Sequence, residues 1–492
     1  MRQMFTLDEV RHAIGGEMIY KTAEPVFDTS ITISGVSSDT RHIEQGNIFF
    51  GIRGEKFNGC EYAGQAIEQG AVCVVVDDAS YIPEGGVGLV VEDTVKALGL
   101  LAKHYRFKLG AKVIAVTGSV GKTSTRNMIT DVLRTGLTVH STKANNNNEI
   151  GMSNTILAAP EDTQVMVLEM GMRGLGEISY LTGIARPDIA VITNVGYSHI
   201  GRLGSRENIM KAKMEIAEGL TDGGILAVNS DDGDLLRYAS NNLSINKLIA
   251  AVSVNDGENV PCPSSCPVII SAENITEDES GMEFSVRLKR MDKEYDSEKR
   301  FTVPHHGAFA IRNAVFALFC AYMCGLMNDH ANIDAVRDVI ANAGLGEGRG
   351  KIIETKKYLI VNDAYNAAPE SMENAFRSFG WTAKGRRKIA VLGGMLELGD
   401  YAPALHEQTG KACAKYGFDI IIVTGENADD FIRGAHEVDS GLEIIKCPDT
   451  QAVGQKLEEC AKTGDAILFK ASHSFGFEDL AKTFMEKGNE EE

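Results

Sequence analysis

A short glycine turn constrains the fold of this chain more than any other feature. The apolar stretch KVIAVT runs into the turn GSVGKTS, and a helical pattern follows, with apolar Met128, Ile129, Val132 and Leu133. A buried strand that turns sharply into a helix is the repeating unit of parallel α/β sheets. The sequence therefore predicts a parallel sheet with this turn at its carboxyl edge, where such sheets bind ligands.

The turn has the groups that hold a phosphate. Successive backbone N–H groups and a helix N-terminus face one anion. Lys122 adds a mobile positive charge for the β- and γ-phosphates, and the Thr123 hydroxyl can ligate magnesium. Because Val116 stands where the usual spacing places a glycine, the loop is a shortened form. We predict nucleotide contacts from Gly118, Ser119, Val120, Gly121, Lys122, Thr123 and Ser124.

Strand-like and helical stretches alternate along a chain of 492 residues, which is too long for one core. The pattern predicts an α/β fold of three domains. Residues 1–107 form an N-terminal α/β domain, residues 108–345 a central domain with the phosphate turn in a mostly parallel sheet, and residues 346–492 a Rossmann-like domain. Alternating polar and apolar positions predict an antiparallel patch over residues 255–303.

Three side chains of the central segment are candidates for chemistry. Glu169 ends the strand pattern VMVLE, and His199 follows the strand pattern IAVITNV. At the same sheet edge as the phosphate turn, both suit a metal bound to a nucleotide. A salt-bridged surface glutamate and a structural histidine are the alternatives. Lys213 falls on a predicted helix, where a solvated lysine is the ordinary interpretation.

The charge balance limits the classes of partner. The chain has 68 acidic and 49 basic residues, a net charge of −19, which argues against a broad surface for nucleic acid or an anionic membrane. The start, MRQMFTLDEVRHAI, has an amphipathic helical pattern rather than that of a signal peptide. The longest apolar run, Ala314 to Met327, is shorter than the roughly 18 residues of a membrane span. It predicts a buried helix, and we expect a cytoplasmic protein.

The nine cysteines show no zinc-ligand pairing. Cys262 and Cys266 belong to a CPSSC stretch, and Cys320 and Cys324 are one helical turn apart. We predict loop thiols for the first pair and core packing for the second. Disulfides are not expected in a reducing compartment.

Several motifs, in order, make the chain resemble the Mur ligases. The central segment carries TGSVGKTS, NNNNEIG, LEMGMRGLGEI, TNVGYSHIGRLGS and AKMEI, and the last segment carries GRG, NDAYNAAPESM and VLGGMLELGD. The stretch SSDTRHIEQGNIFFGIRGEKFNG is similar to the family's domain for the UDP-linked substrate. Within the family, NNEIG, DAYNA and LGGMLELG are typical of the MurF branch.

The resemblance implies an ATP-dependent ligase of peptidoglycan precursor synthesis. Such an enzyme joins D-alanyl-D-alanine to UDP-N-acetylmuramoyl-tripeptide through an acyl phosphate, and it needs no covalent enzyme intermediate. We expect a monomer whose ATP lies between the second and third domains, so that domain closure assembles the site.

The resemblance also implies roles for single residues. Lys122 would hold the ATP phosphates, Thr123 and Glu169 would ligate one magnesium ion, and His199 would help to ligate a second. Lys213 matches the lysine that carries a carbamate in the family. Asn313, Arg349 and Asp363 match nucleotide contacts, and our candidates for substrate contacts are Ser38, Arg41 and Asn145.

The chain departs from the family pattern at several positions. The usual GxHNxxNA reads GAFAIRNA, so Phe309 and Ala310 replace a histidine and an asparagine. A stacked Phe309 can substitute for ring packing. His473 replaces an arginine. Because a histidine is only partly charged near neutral pH, we expect weaker binding of an anionic substrate terminus there. The other departures are Cys60, Ala368 and Ala471.

Three other functions stay open at this stage. A related ligase, similar to MurE or to folylpolyglutamate synthetase, would take a different amine, but the DNP[RK]-type motif of MurE is absent from the third segment. A nucleotide-dependent switch would bind ATP without joining two substrates. The loss of Lys122, Glu169, His199 or Lys213 would favour such a switch, but all four are present. A precursor-binding scaffold derived from a ligase is suggested only by the departures.

Overall fold

The computed structural model describes residues 4–21, 31–54, 57–244, 246–254, 267–290, 293–328, 330–344 and 349–490. Within these ranges the chain forms three α/β domains, each built around its own main sheet. This is the fold class that the sequence predicts. The exact boundaries remain predictions, because position 107/108 falls inside a helix and position 345/346 lies outside the described residues.

The N-terminal domain has a five-stranded sheet in the order β2-β7-β6-β5-β4, in which only β2 is antiparallel to its neighbour. A capping box starts its first helix: the Glu9 N–H donates to Thr6 Oγ1, and the Thr6 N–H donates to the Glu9 carboxylate. The elements are β1 (Phe5–Thr6), α1 (Leu7–Ile14), β2 (Glu17–Tyr20), β3 (Thr32–Ile33), β4 (Gly35–Ser37), β5 (Asn47–Phe50), α2 (Ala63–Glu68), β6 (Cys73–Val76), β7 (Val87–Val90) and α3 (Thr94–Leu109).

The central domain has a nine-stranded sheet in the order β16-β15-β14-β13-β12-β11-β8-β10-β9. Strands β8 to β14 are parallel, with β8 between β11 and β10, and β14, β15 and β16 form the antiparallel extension that the sequence predicts. The elements are β8 (Lys112–Thr117), α4 (Lys122–Leu133), β9 (Val139–Ser141), α5 (Glu149–Leu157), β10 (Val165–Glu169), α6 (Glu177–Ala185), β11 (Ile189–Ile192), α7 (Ile200–Leu203), α8 (Arg206–Met214), β12 (Ile225–Asn229), α9 (Gly233–Asn242), β13 (Leu248–Ser253), β14 (Val268–Asp278), β15 (Gly281–Arg290), β16 (Lys293–Val303), α10 (Ala308–Met323) and α11 (His330–Ala341).

Helix α10 is the buried helix predicted from the apolar run. Phe316 and Phe319 are fully buried on it, and it packs against α4 and the strands that lead into the antiparallel extension. Cys320 is buried on the same helix as a free thiol, whereas Cys262 and Cys266 lie outside the described residues. Among the helices of the described ranges, none has the length and apolar content needed to cross a membrane.

The third domain has a six-stranded sheet in the order β17-β18-β22-β19-β20-β21, parallel except for the edge strand β17. Its parallel strands alternate with helices, as predicted for the last segment. The elements are β17 (Lys351–Glu354), β18 (Leu359–Asn362), α12 (Pro369–Thr382), β19 (Lys388–Leu392), α13 (Ala402–Cys413), β20 (Ile420–Thr424), α14 (Ala428–Val438), β21 (Glu443–Cys447), α15 (Thr450–Cys460), β22 (Ala466–Lys470) and α16 (Phe477–Asn489).

The packing of α10 gives a stability prediction. Replacing Phe316 by Ala leaves a cavity in the core, and we expect it to lower the free energy of unfolding by about 3–5 kcal/mol. Leu175→Ala is the control, because Leu175 is 57% exposed. Urea titration of both variants measures the effect, and a Phe316→Ala midpoint equal to that of the control would contradict this packing.

Candidate functional site

A cleft of about 1060 Å³ lies between the central and third domains. Its central-domain wall contains the phosphate turn from Ser119 to Ser124, without Gly118, together with Glu169 and Asn313. Its third-domain wall contains Arg349, Asp363 and Tyr365, among others. The cleft therefore brings together predicted nucleotide contacts that are far apart in the sequence.

The phosphate turn connects β8 to α4 in a conformation that only glycine adopts readily. Gly118 has φ of 154°, and a Cβ there would lie 1.9 Å from Thr193 Oγ1. The N–H groups of Ser119 and Val120 both donate to Asn194 Oδ1 at 3.0 Å. Through these hydrogen bonds, the loop after β11 holds the phosphate turn at the carboxyl edge of the sheet.

Lys122 begins α4 and folds back over the turn. Its Nζ donates to the carbonyls of Gly118 at 2.8 Å and Ser119 at 3.2 Å. Burial lowers the pKa of Lys122, the nearby Glu169 carboxylate opposes that shift, and Arg349 of the third domain adds to it. A cation in this position is suited to a polyanion such as a triphosphate.

Glu169 is buried, so the alternative of a salt-bridged surface glutamate is wrong about the surface position, although a salt bridge is present. Its carboxylate forms an ion pair with Arg126 at 3.1 Å and accepts a hydrogen bond from Asn147 Nδ2 at 2.9 Å. The sequence did not single out Arg126 or Asn147. The signal for Arg126 was its place one turn into the helix after Lys122, and that for Asn147 was its place within NNNNEIG.

His199 lies at the contact between the two domains. It starts α7 with φ of 66°, in the left-handed region, and its Nδ1 pairs with the carboxylate of Glu397. Burial lowers the pKa of His199, whereas Glu397 acts in the opposite direction. Glu397 also has a positive φ, of 62°. Sequence reasoning missed Glu397, although it lies in the stretch LGGMLELG.

Two glycines allow the backbones of the two domains to meet beside His199. The Gly201 N–H donates to the carbonyl of Glu397 at 3.0 Å. A Cβ on Gly201 would lie 2.6 Å from the backbone nitrogen of Gly399. Tyr401 adds a hydrogen bond to the carbonyl of Gly204 at 3.0 Å. We call this contact, of residues 199–204 with residues 397–401, the glycine seam.

Lys213 is 1% exposed on α8, so the interpretation as a solvated lysine is wrong. Burial lowers its pKa well below the ordinary value, and the positive charge of Lys122 lowers it further. The charges of Lys122, His199 and Lys213 are close enough to influence one another. Burial of a lysine favours its neutral amine form over its ammonium form.

Arg349 and Asp363 of the third domain both face the cleft. The Arg349 guanidinium stacks on the ring of Tyr365, 4.5 Å from the centroid. Asp363 accepts a hydrogen bond from the Gly350 N–H at 3.1 Å and pairs with the buried Lys470 at 2.7 Å. Asn313 lies opposite on α10, where its Oδ1 accepts a hydrogen bond from Thr125 Oγ1 at 2.8 Å.

The three predicted substrate contacts, Ser38, Arg41 and Asn145, do not line this cleft. Ser38 Oγ accepts a hydrogen bond from Asn154 Nδ2 at 3.2 Å, which joins the N-terminal domain to the central one. Arg41 is exposed and pairs with Asp39 at 2.6 Å. Asn145 is exposed in the turn before α5.

The departures from the family pattern fall into two groups. Phe309 lines the cleft and His473 is exposed, with its ring 6.0 Å from that of Tyr365. Ala368 is buried but also lines the cleft. The other departures are packed in cores. Cys60 donates to the carbonyl of Gly51 at 3.0 Å, and burial raises its pKa to about 11. Ala310 and Ala471 are likewise buried.

The far end of the cleft is held by a second contact between the domains. His306 stacks on Trp381 with centroids 5.1 Å apart, Glu277 pairs with Arg377 at 3.3 Å, and Glu279 pairs with Lys384 at 2.8 Å. The first residue of each pair belongs to the central domain. These contacts and the glycine seam hold the third domain at two separate places.

The oxygen groups beside the phosphate turn fit a magnesium ion only together with a substrate. In the described part of the chain, no three His, Cys, Asp or Glu side chains gather as a ready-made metal site. Magnesium in nucleotide sites, however, takes one or two carboxylates plus substrate phosphates and water. Glu169 and Thr123, which both line the cleft, meet that requirement.

Models of Mur ligase domains match three parts of the chain. The model described as Mur ligase family, catalytic domain, matches residues 32–106, the Mur ligase middle domain matches residues 116–321, and the Mur ligase, glutamate ligase domain, matches residues 348–473. Among curated proteins, the UDP-N-acetylmuramoyl-tripeptide–D-alanyl-D-alanine ligase of Bacillus subtilis (strain 168) is 35% identical, over 96% of this chain and 97% of that protein.

Solved structures give the same family. The crystal structure of MurF from Acinetobacter baumannii has a TM-score of 0.81 at 25% identity, and the match covers 98% of this chain and 99% of that one. MurF ligase from Thermotoga maritima in complex with ADP has a TM-score of 0.74 at 25% identity, with 92% and 97% covered.

The buried pair of Arg126 and Glu169 gives a prediction. Arg126→Met leaves a buried carboxylate without its cation, and we expect the free energy of unfolding to fall by about 3–5 kcal/mol. Arg134→Met at the end of the same helix is the control, because Arg134 and its partner Asp131 are each 54% exposed. Such an exposed pair contributes at most about 1 kcal/mol. Equal losses in chemical denaturation would contradict the assignment of a buried pair.

Proposed function

The chain belongs to the Mur ligase family, and from this we propose that it joins D-alanyl-D-alanine to the terminal carboxylate of UDP-N-acetylmuramoyl-tripeptide, with ATP converted to ADP and phosphate. The observation that carries the proposal is 35% identity to a ligase of that name over 96% of the chain. The cleft between the central and third domains supports it, because the predicted nucleotide contacts face each other there.

In this proposal the nucleotide lies in the cleft between the two domains. The phosphate turn of residues 118–124, with the N-terminus of α4 and the ammonium of Lys122, holds the phosphates. Asn313 from the central domain, and Arg349 and Asp363 from the third, contact the rest of the nucleotide. A nucleotide held from both sides favours the closed arrangement of the domains.

We assign Thr123 and Glu169 to a first magnesium ion, and His199 and Lys213 to a second. Magnesium would supply positive charge where the phosphate and carboxylate anions crowd together. The burial of Lys213 supports its assignment, because burial favours the unprotonated amine, which is the form that can add carbon dioxide. The resulting carbamate has the oxygen ligands that a hard cation prefers.

The reaction would proceed through an acyl phosphate. The tripeptide carboxylate attacks the γ-phosphate and ADP leaves. The amine of the dipeptide then attacks the acyl carbon, and phosphate leaves as the nitrogen loses a proton. Lys122 offsets the negative charge that builds up on the transferred phosphate. The buried position of Lys122 strengthens this effect because the surroundings screen charge less than water does.

The N-terminal domain would hold the UDP-linked substrate, with Ser38, Arg41 and Asn145 as candidate contacts. The hydrogen bond from Asn154 to Ser38 supports this placement, because it fixes the N-terminal domain against α5, just after the loop that carries Asn147. We also propose that the protein acts as a monomer in the cytoplasm.

Phosphate release tests the proposed substrates. We expect the purified protein with magnesium and ATP to release phosphate only when UDP-N-acetylmuramoyl-tripeptide and D-alanyl-D-alanine are both present. Release with the tripeptide and a different amino acid or dipeptide, but not with D-alanyl-D-alanine, would instead favour a ligase for another amine. No release with any amine would favour a non-catalytic nucleotide-binding protein.

Lys213 gives a second test. Lys213→Met keeps the volume and burial of the side chain but removes its nitrogen, so we expect phosphate release to fall by about two orders of magnitude or more. Stability should change by less than about 1.5 kcal/mol, since the new side chain is apolar and of similar size. Lys211→Met, on the exposed face of the same helix, should retain the full rate. Full activity of Lys213→Met would contradict the assignment of Lys213 to the second magnesium ion.

A further inference from the structure

Glu370 reaches from the third domain into the loop that follows β11. It is the second residue of α12, and its Oε1 accepts a hydrogen bond from the Tyr197 N–H at 3.0 Å. The carboxylate fits there because position 196 is a glycine: a Cβ on Gly196 would lie 2.1 Å from Oε1. Glu370 thus lies beside the phosphate turn, since the Gly196 N–H donates to Ser119 Oγ at 2.8 Å.

The second oxygen of Glu370 has no such partner. Its Oε2 is buried and accepts no hydrogen bond from any residue that the structure describes, although Glu370 lines the cleft. Burial raises the pKa of Glu370. A buried acceptor without a donor is unfavourable by itself, and in native proteins it commonly marks a place where a ligand binds.

The nearby basic groups do not neutralise this carboxylate. Arg206 is already paired with Asp232 at 2.8 Å and Asp234 at 3.0 Å. Lys213 is the other basic group whose charge reaches Glu370, and burial disfavours its protonated form. The ionised form of Glu370 therefore fits a cation supplied from the cleft.

We propose that Glu370 Oε2 binds the ammonium group of the incoming amine and holds its nitrogen beside the phosphate turn. This assignment rests on the proposed function, in which the incoming dipeptide has an ammonium group, whereas ATP and the UDP-linked tripeptide are anions. The carboxylate suits that group because an ammonium donates hydrogen bonds to a single acidic oxygen, while Oε1 remains fixed by the Tyr197 N–H. Transfer of one proton from the ammonium to Oε2 leaves a neutral amine, and its lone pair then attacks the acyl carbon from the side of the third domain.

The test is the Michaelis constant of each substrate for the variant Glu370→Gln. The amide keeps an oxygen that can accept from the Tyr197 N–H but has no negative charge. We expect the KM for D-alanyl-D-alanine to rise by about tenfold or more, as the loss of a charged hydrogen bond implies. The KM values for ATP and for the UDP-linked tripeptide should stay within about twofold. Glu459→Gln, which removes an exposed carboxylate of the third domain that lies outside the cleft, should behave as the unaltered protein.

Four outcomes decide the assignment. A selective rise in the KM for the amine supports it. An equal change in all three KM values would overturn it in favour of a purely structural link between the domains. A shift in the magnesium requirement with no change for the amine would overturn it in favour of a metal ligand. If the unaltered protein forms the amide and Glu370→Gln leaves the KM for the amine unchanged, this assignment alone is overturned. If the unaltered protein shows no turnover, the proposed function is overturned as well.

Discussion

The contact between the loop after β11 and the third domain is the constraint on which the rest of the site depends. His199 and Glu397, one from each domain, both have left-handed backbones and lie against each other. Such conformations cost about 1–3 kcal/mol each unless the surroundings hold them. Gly201 and Gly399 let the two backbones touch. Because this seam fixes the third domain, Arg349 and Asp363 face the phosphate turn across the cleft.

The charges of the cleft are arranged for ligands rather than for stability. Burial lowers the pKa values of the partly buried Lys122 and the fully buried Lys213, and it raises the pKa of Glu370. Shifts of this kind are unfavourable in the protein alone and are typical of functional sites. The buried ion pair of Arg126 with Glu169 places two more charged groups beside the phosphate turn.

The sequence predicted the parts of the fold that follow from local patterns. The phosphate turn, the buried strands and helix α10 all have strong signals, because apolar runs and glycines act over a few residues. Edge strands such as β9, β17 and β21 escaped prediction, since short and partly exposed strands lack a continuous apolar run. The partners Glu397, Asn147 and Glu370 also escaped, because each meets its target only after distant segments pack together. The burial of Lys213 belongs to the same class, as nothing in its spacing marks it.

The central claim is that one cleft between the second and third domains brings ATP to the terminal acid of a peptide. A crystal structure with magnesium, a non-hydrolysable ATP analogue and UDP-N-acetylmuramoyl-tripeptide tests it most directly. We expect this structure to show the phosphates against residues 118–124 and contacts to the nucleotide from Arg349 and Asp363. The tripeptide carboxylate should lie between the γ-phosphate and the side chains of His199 and Lys213. A nucleotide bound without any contact from the third domain, or a peptide terminus far from the phosphates, would contradict it.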